Sequence, residues 1–216
     1  MNGANGKART FGILLFPEVE ALDFCGSYEV FATTRLDESA RRESTSPIRT
    51  VLVSETLEPV VTAGGMKVLP DVDFAGCPKL DVLIVPGGHG TRALMHNQRY
   101  LDFVKQQAAQ AERVASVATG SLVLGSAGLL VGHSATTHWR SRDFFREKFP
   151  NTTLERELRI VVDGQIITAA SIAAGLEMAL MIVAHYFGED VARNSALQME
   201  FPYPEANGRR TRNGVH

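Results

Sequence analysis

The chain has 216 residues, of which 44% are apolar and 21% are charged, and its formal net charge is −2. This balance is typical of one compact domain with a substantial buried core, and it excludes a chain that is mostly disordered. The near-neutral charge gives no electrostatic support to a nucleic-acid or anionic-membrane partner, so we expect a small molecule or another protein chain instead.

Apolar runs alternate with amphipathic stretches in the first half of the chain. This pattern indicates parallel strands whose two faces are both covered by helices, and therefore an α/β sandwich with a mainly parallel central sheet. The predicted elements are a strand at 10–16, a helix at 22–35 with Asp23 near its start, a strand at 49–55, a hairpin or meander at 59–74 around Gly64-Gly65, and a strand at 80–88 that stops at Pro86-Gly87-Gly88.

The second half of the chain continues the same alternation. Its predicted elements are a helix at 99–112, a strand at 113–117, a small-residue helix after it, a hairpin at 158–170 with Asp163-Gly164 at its tip, a helix at 173–187 and a short last helix at 191–201. We interpret 91–96 and the arginine-rich run at 139–146 as solvated or helical surface. The predicted organisation is a disordered N-terminus at 1–9, a single domain at 10–200 and a loose C-terminal tail at 201–216.

The two cysteines, Cys25 and Cys77, lie far apart and show no CxxC or Cys/His spacing. They predict neither a disulfide framework nor a zinc site, and reduced thiols are typical of the cytoplasm. The first ten residues lack the apolar core of a signal peptide, and no later run reaches the roughly eighteen apolar residues of a membrane span. We therefore expect a cytoplasmic protein without a membrane partner.

The stretch VASVATGSLVLGSAGLL, residues 114–130, is typical of a strand that passes through a tight turn into a helix. Such a turn is a nucleophile elbow: it lifts one side chain above the sheet, beside backbone amides that stabilise negative charge. Gly87 and Gly88, at the end of another strand, are predicted to complete an oxyanion cradle. The residue at the turn is Ala118, which has no reactive group. A glycine-rich turn is also common in α/β folds without catalysis. The prediction of a catalytic site therefore depends on the turn together with the other candidate site residues.

Five blocks of the sequence resemble the ThiJ/PfpI superfamily, a flavodoxin-like fold related to class I glutamine amidotransferases. They are FPEVEALDFCGSYEVF, LDVLIVPGGHGTRALM, RVASVATGSLVLGSAGLL, ATTHW and ITAASIAAGLEMAL, and the resemblance covers roughly 10–200. Within the superfamily the order of these elements resembles the isocyanide hydratases most. Their SVCTGS is SVATGS here, so Ala118 stands where the family has its cysteine nucleophile.

The resemblance implies a hydro-lyase that converts an isocyanide and water to an N-substituted formamide through a cysteine thioimidate. Asp23 would move protons and orient water, and Thr119 would hydrogen-bond the nucleophile or the intermediate. Ile172 and His89 would line the substrate pocket. The resemblance also implies a homodimer, and no metal or organic cofactor. Without a thiol at position 118, the chain as given is expected to be nearly inactive.

Structural explanations exist for each of these residues. Asp23 and Thr119 suit helix caps, Ile172 suits ordinary core packing, and Cys25 suits a small buried apolar residue better than a chemical role. We expect His138 and Trp139 to cap a strand end and pack. His89 is expected at the pocket rim rather than as a base.

Two explanations of Ala118 remain open: an engineered replacement of the nucleophile, which the intact surroundings favour, and a natural loss of the chemistry. In the natural case the chain would be a pseudoenzyme that acts as a ligand sensor or interaction protein. Related modules precede the helix-turn-helix of AraC-type regulators, but fewer than thirty residues follow Phe187, which is too few for that domain. A deglycase or protease is disfavoured because Thr119 stands where those relatives carry histidine.

Overall fold

The computed structural model describes residues 8–204. The strands and helices, in chain order, are β1 (Arg9–Leu14), α1 (Ala21–Thr33), β2 (Ile48–Ser54), β3 (Val60–Val61), β4 (Lys67–Val68), β5 (Val72–Asp73), β6 (Val82–Val85), α2 (Thr91–Leu94), α3 (Gln98–Ala108), β7 (Arg113–Val117), α4 (Gly120–Ser126), β8 (Ser134–Ala135), α5 (Arg142–Lys148), β9 (Thr153–Leu154), β10 (Ile160–Asp163), β11 (Ile166–Ala169), α6 (Ile172–Phe187) and α7 (Glu189–Gln198). A 3₁₀ turn at Trp139–Ser141 leads into α5.

The central sheet has seven strands in the order β10-β11-β7-β6-β1-β2-β5. Every neighbouring pair is parallel except β10 and β11, which form an antiparallel hairpin. All four residues of β6 and of β11 are buried, as expected for strands covered on both faces. The carboxyl ends of β6 and β7 lie side by side, and the loops that follow them form the candidate site.

The helices form two groups that pack on the sheet. Helices α1, α6 and α7 contact one another, and so do α2, α3 and α4 in pairs; α6 packs on β7 and β11, and α4 packs on β6 and β7. Gly175 brings α6 close to the sheet, because a Cβ there would lie 2.8 Å from Cγ1 of Val117. The predicted α/β sandwich is confirmed. Within residues 8–204, no helix has the length and apolar character to cross a membrane.

Both predicted hairpins form, and each differs from the prediction in one respect. β3 and β4 pair around Gly65, whose φ is +84°, but the following β5 joins the edge of the main sheet beside β2. In the second hairpin Asp163 pairs with Ile166, so the two-residue loop starts at Gly164, with φ of +62°. Asp163 instead accepts a hydrogen bond from the Ser134 amide.

The chain ends lie partly outside the described residues. β1 begins at Arg9, inside the segment predicted to be the disordered N-terminus, and residues 1–7 are outside the description. Of the predicted tail at 201–216, the first part packs: Phe201 and Tyr203 contact the core, and the Phe201 amide donates to the Ala196 carbonyl. Residues 205–216 lie outside the described residues.

Candidate active site

The turn between β7 and α4 has the predicted elbow geometry. Ala118 has a φ of +50°, a left-handed conformation that costs a residue with a Cβ roughly 1–2 kcal/mol. Hydrogen bonds hold this conformation: the Ala118 amide donates to the Ala169 carbonyl at 2.8 Å. The Ala118 carbonyl accepts from the hydroxyls of Ser121 (3.1 Å) and Thr137 (3.3 Å). The surrounding structure therefore imposes the strained turn, and its methyl group faces the cavity described below.

Two glycines let the loops after β6 and β7 approach each other. A Cβ at Gly120 would lie 2.0 Å from the Val85 carbonyl oxygen, and one at Gly87 would lie 2.7 Å from Oδ2 of Asp23. No larger residue fits at either position without moving backbone or the buried carboxyl. This close approach places the start of α4 against the end of β6 and beside α1.

Asp23 lies in the first turn of α1 and is only 2% exposed. Its Oδ2 accepts a hydrogen bond from the Gly87 amide at 2.9 Å, while its Oδ1 is buried and has no hydrogen-bond partner. Burial raises the pKa of this carboxyl to about 7; the Gly87 hydrogen bond opposes the shift, and the nearby charge of Glu20 adds to it. Asp23 is not a helix cap, because the cap position is Glu20.

Gly88 and Thr119 are joined by two hydrogen bonds. The Gly88 amide donates to Oγ1 of Thr119 at 3.0 Å, and the same hydroxyl donates to the Gly88 carbonyl at 3.3 Å. Thr119 occupies the cap position of α4 but its side chain makes no cap hydrogen bond. The amides of Gly87 and Gly88, predicted as a cradle for an anionic intermediate, thus donate to Asp23 and Thr119 and hold those two side chains.

A cavity of about 580 Å³ opens above the elbow. Its inner end is formed by Ala118, Asp23 and Thr119, so the side chains predicted to share the reaction centre do share one hollow. Gly88, His89 and Ile172 of the predicted site also line it, whereas Gly87 lies behind Asp23. Cys25 does not line this cavity; burial raises the pKa of its thiol, which suits an unreactive packing residue.

The outer part of the cavity includes residues that the sequence analysis placed elsewhere. Arg92 and Arg140, both expected on solvated surface, line it together with His138. Trp139 was expected to pack but is 61% exposed. Burial and the charges of Arg140 and Arg142 lower the pKa of His138, which favours its neutral ring. Their positions in the sequence could have indicated that these residues line the cavity, because Arg92 follows the Gly88 loop and Arg140 follows ATTHW.

Four side chains of the types that bind metals line the cavity: Glu20, Asp23, His89 and His138. In the part of the chain that the structure describes, no cluster of three or more His, Cys, Asp or Glu side chains could hold a metal ion.

The sequence and the structure were compared with those of known proteins. The DJ-1/PfpI family model matches residues 10–185. An isonitrile hydratase from Pseudomonas putida is 41% identical over 195 residues, which cover 90% of this chain and 79% of the relative. An HTH-type transcriptional regulator, CdhR, from Pseudomonas aeruginosa is 30% identical over 86% of this chain but only 53% of its own length.

Solved structures share the fold. The crystal structure of a ThiJ/PfpI family protein from Pseudomonas syringae superposes with a TM-score of 0.78 and 32% identity, covering 92% of this chain and 78% of that one. This similarity agrees with the seven-stranded, mainly parallel sheet. The chain is a member of the DJ-1/PfpI family.

Proposed function

We propose that this chain has the site of an isocyanide hydratase whose nucleophile position holds alanine, so that the protein as given is nearly inactive. The observation that carries the proposal is the arrangement at the inner end of the cavity. A strained elbow directs position 118 into a hollow that also contains a buried carboxyl with one unpartnered oxygen. The 41% identity to an isonitrile hydratase supports the same conclusion, since isonitrile and isocyanide name the same group.

A thiol at position 118 would supply the missing step. Its sulfur would form a bond to the terminal carbon of the isocyanide, and that carbon would take up a proton, giving a thioimidate. Water would then add across the carbon–nitrogen double bond, with its hydroxyl on that carbon and a proton on nitrogen. The carbon–sulfur bond would break with the electron pair returning to sulfur, while the hydroxyl loses its proton to the thiolate and becomes the formamide carbonyl. The product is an N-substituted formamide, and thiol and water are each accounted for.

Asp23 is the group that fits both proton transfers. With a pKa of about 7 its carboxyl is present in both protonation states near neutral pH, so it serves as an acid in the first step and as a base in the second. Its free Oδ1 is the acceptor for the proton of water, while Oδ2 stays bound to the Gly87 amide. Because the hydrogen bond from the Gly87 amide fixes the carboxyl, its proton transfers take place at one position in the cavity.

The remaining predicted site residues position these reactants. We assign Gly87 and Gly88 to holding Asp23 and Thr119, because their amides donate to those side chains. Ile172 supplies an apolar wall for a weakly hydrated isocyanide. His89 is exposed and lines the cavity, as expected for a rim residue.

Ala118 is best explained as a replaced nucleophile. Alanine adopts the strained left-handed turn but contributes no reactive atom. Asp23, Thr119 and both glycines nevertheless keep the arrangement that a nucleophile needs. Losing the nucleophile of a covalent mechanism lowers the rate by about 10⁴ to 10⁶. We propose an engineered alanine, and the codon at this position in the source gene decides the matter.

The test is Ala118→Cys, assayed for formamide formation from a panel of aryl and alkyl isocyanides. We expect turnover by the cysteine variant, and no turnover above the parent protein by Ala118→Ser, whose hydroxyl fits but ionises far less readily. A cysteine variant that folds, carries a titratable thiol and converts no isocyanide would contradict the proposal.

A second candidate is a non-catalytic ligand sensor or interaction protein. The observation that favours it is the retention of a cavity of about 580 Å³ beside an inert residue. It predicts a stable protein partner captured by the chain and no isocyanide chemistry in Ala118→Cys. Turnover by that variant would favour the hydratase.

We also propose that the protein is a cytoplasmic homodimer, as the family resemblance implies. Light scattering on the purified chain should then give about twice the monomer mass of 23.5 kDa. A monomer mass at micromolar concentration would contradict this expectation.

A further inference from the structure

Two arginines from different elements face the outer part of the cavity. Arg92 lies on α2, and Arg140 lies in the 3₁₀ turn after the ATTHW block. Neither belongs to the inner end of the cavity, which Ala118 and Asp23 form. They place positive charge at the exposed part of the cavity whose buried part contains position 118.

Neighbouring side chains hold both guanidinium groups. Cζ of Arg92 lies 3.8 Å from the centre of the Phe144 ring, and its Nη2 donates to Oγ of Ser141 at 3.5 Å. Cζ of Arg140 lies 4.9 Å from the centre of the Trp139 ring. The contact with Ser141 also connects Arg92 to the turn that carries Arg140. Stacking limits the freedom of a guanidinium while leaving its N–H donors available to an anion.

In the described part of the chain neither guanidinium forms an ion pair with a carboxylate, as is also true of other arginines such as Arg49. Arg92 and Arg140 differ from these others because both line the same cavity. Two unpaired arginines at one cavity are a concentration of positive charge in a chain whose net charge is −2.

The other ionisable groups of the cavity do not cancel this charge. Glu20 lies at the Asp23 end, where its amide donates to the Gly87 carbonyl, and it makes no ion pair with either arginine in the described part of the chain. Burial and the charges of Arg140 and Arg142 lower the pKa of His138, which favours its neutral ring. The cavity therefore combines two arginines in its exposed part with the buried carboxyl of Asp23.

We propose that Arg92 and Arg140 form a carboxylate-binding subsite, and that the substrate class is an isocyanide with a carboxylate at the end opposite its reactive carbon. Guanidinium groups bind carboxylates through paired, charge-assisted hydrogen bonds, which orient a ligand as well as attract it. A carboxylate held by the arginines directs the other end of the molecule toward position 118. The isocyanide part of this inference rests on the proposed function, and the carboxylate part rests on the arginines.

The protein as it exists is suited to the test, because without a nucleophile it binds a ligand without consuming it. We would measure calorimetric affinities for 4-isocyanobutanoate and 6-isocyanohexanoate, two lengths of one series, and for their methyl esters. At low ionic strength we expect at least one carboxylate to bind about tenfold or more tightly than its ester. Added salt should reduce this preference, since it screens the charges.

Variants separate the arginines from the rest of the cavity. Arg92→Met and Arg140→Met should each lower carboxylate affinity while leaving ester affinity unchanged, and the double variant should remove the preference. The lysine replacements keep the charge but lose the planar fork, so they should retain only part of it. Arg99→Met, on the exposed start of α3, is the matched control and should leave the affinities unchanged.

Three results would overturn the subsite: equal affinity for each carboxylate and its ester, absence of binding by both carboxylates, or a double variant that keeps the preference. Turnover of n-butyl isocyanide by Ala118→Cys tests the proposed function separately. If that variant is inactive but the carboxylate preference holds, the subsite stands and the hydratase assignment fails. If it is active and no preference exists, the hydratase assignment stands and the subsite fails.

Discussion

The inner end and the outer mouth of the cavity are built from different parts of the chain. At the inner end Ala118 and Asp23 are 7% and 2% exposed, and they are held by hydrogen bonds to the backbone of Ala169 in β11 and of Gly87 just after β6. At the mouth the side chains of Arg92, Trp139 and Arg140 are exposed. The main contacts that hold them are stacking contacts between guanidinium groups and aromatic rings. One end is held by the sheet, and the other lies on short surface elements.

This difference separates two roles within one cavity. At the inner end a side chain at Gly87 would clash with Asp23, and loss of the group that accepts from the Gly87 or Gly88 amide would leave that donor unpaired. Changes at the mouth meet solvent and cost little. A reaction centre needs the first property, whereas a surface that selects among substrates can change without disturbing the fold.

The largest expected effect concerns Asp23 in the Ala118→Cys protein. Asp23→Asn removes the proton donor and acceptor but keeps an oxygen for the Gly87 amide, so kcat should fall by about 10² to 10⁴ while KM changes little. Formamide formation by a set of isocyanides measures both constants. Asp102→Asn on α3 is the control. If kcat of the Asp23 variant fell by less than tenfold, this result would contradict a catalytic role for Asp23.

The second effect is on stability and depends on pH. The pKa of Asp23 is about 7 in the folded chain against an ordinary value of 3.8, so between these values the folded protein keeps a proton that the unfolded chain has lost. Its contribution is fully present below about pH 4 and is lost as pH rises to about 7, at about 1.4 kcal/mol per pH unit. The total is on the order of 4 kcal/mol.

Urea unfolding of the protein and of Asp23→Asn, at intervals between pH 4 and pH 8, measures this contribution. The difference in free energy of unfolding between the two proteins should change in favour of the asparagine variant as pH rises, and should level off above about pH 7. A difference that does not change with pH would show that the carboxyl titrates near its ordinary value.

Most of the inner end follows from patterns that sequence shows directly. Buried parallel strands appear as continuous apolar runs, and the carboxyl ends of such strands lie together, so Gly87, Gly88, Ala118 and Asp23 were expected at one edge of the sheet. What sequence does not show is the hydrogen bonding among them. That the two glycine amides donate to Asp23 and Thr119 depends on distances of a few tenths of an ångström.

The mouth was mostly missed, for a physical reason. Arg92 and Arg140 belong to elements of four and three residues, too short to show a helical period, and a charged residue on such an element is usually on solvated surface. Their convergence on the cavity is set by how α2 and the 3₁₀ turn pack in three dimensions. The small strand β5 lies within the hairpin or meander predicted at 59–74, but two paired residues are too few for the sequence to show that it joins the main sheet beside β2.

A smaller effect tests how firmly the inner end is tied together. Thr119→Val removes the hydroxyl that accepts from the Gly88 amide, leaving that donor unpaired, and should lower the free energy of unfolding by about 1–3 kcal/mol. Thr119→Ser keeps the hydroxyl and should stay close to the parent protein. An unchanged free energy of unfolding in Thr119→Val would show that the hydrogen bond from the Gly88 amide contributes nothing to stability.

The smallest effect is expected at the mouth. Trp139 is 61% exposed, and its ring contacts are with His138, at 5.8 Å between centres, and with the Arg140 guanidinium. An exposed cation–π contact contributes about 0.5–1 kcal/mol, so Trp139→Ala should lower the free energy of unfolding by no more than that. The same change frees Arg140 and should weaken carboxylate binding a few-fold. A loss of stability as large as that of Thr119→Val would mean that the mouth is packed as firmly as the inner end, and substrate selection would then need a different explanation.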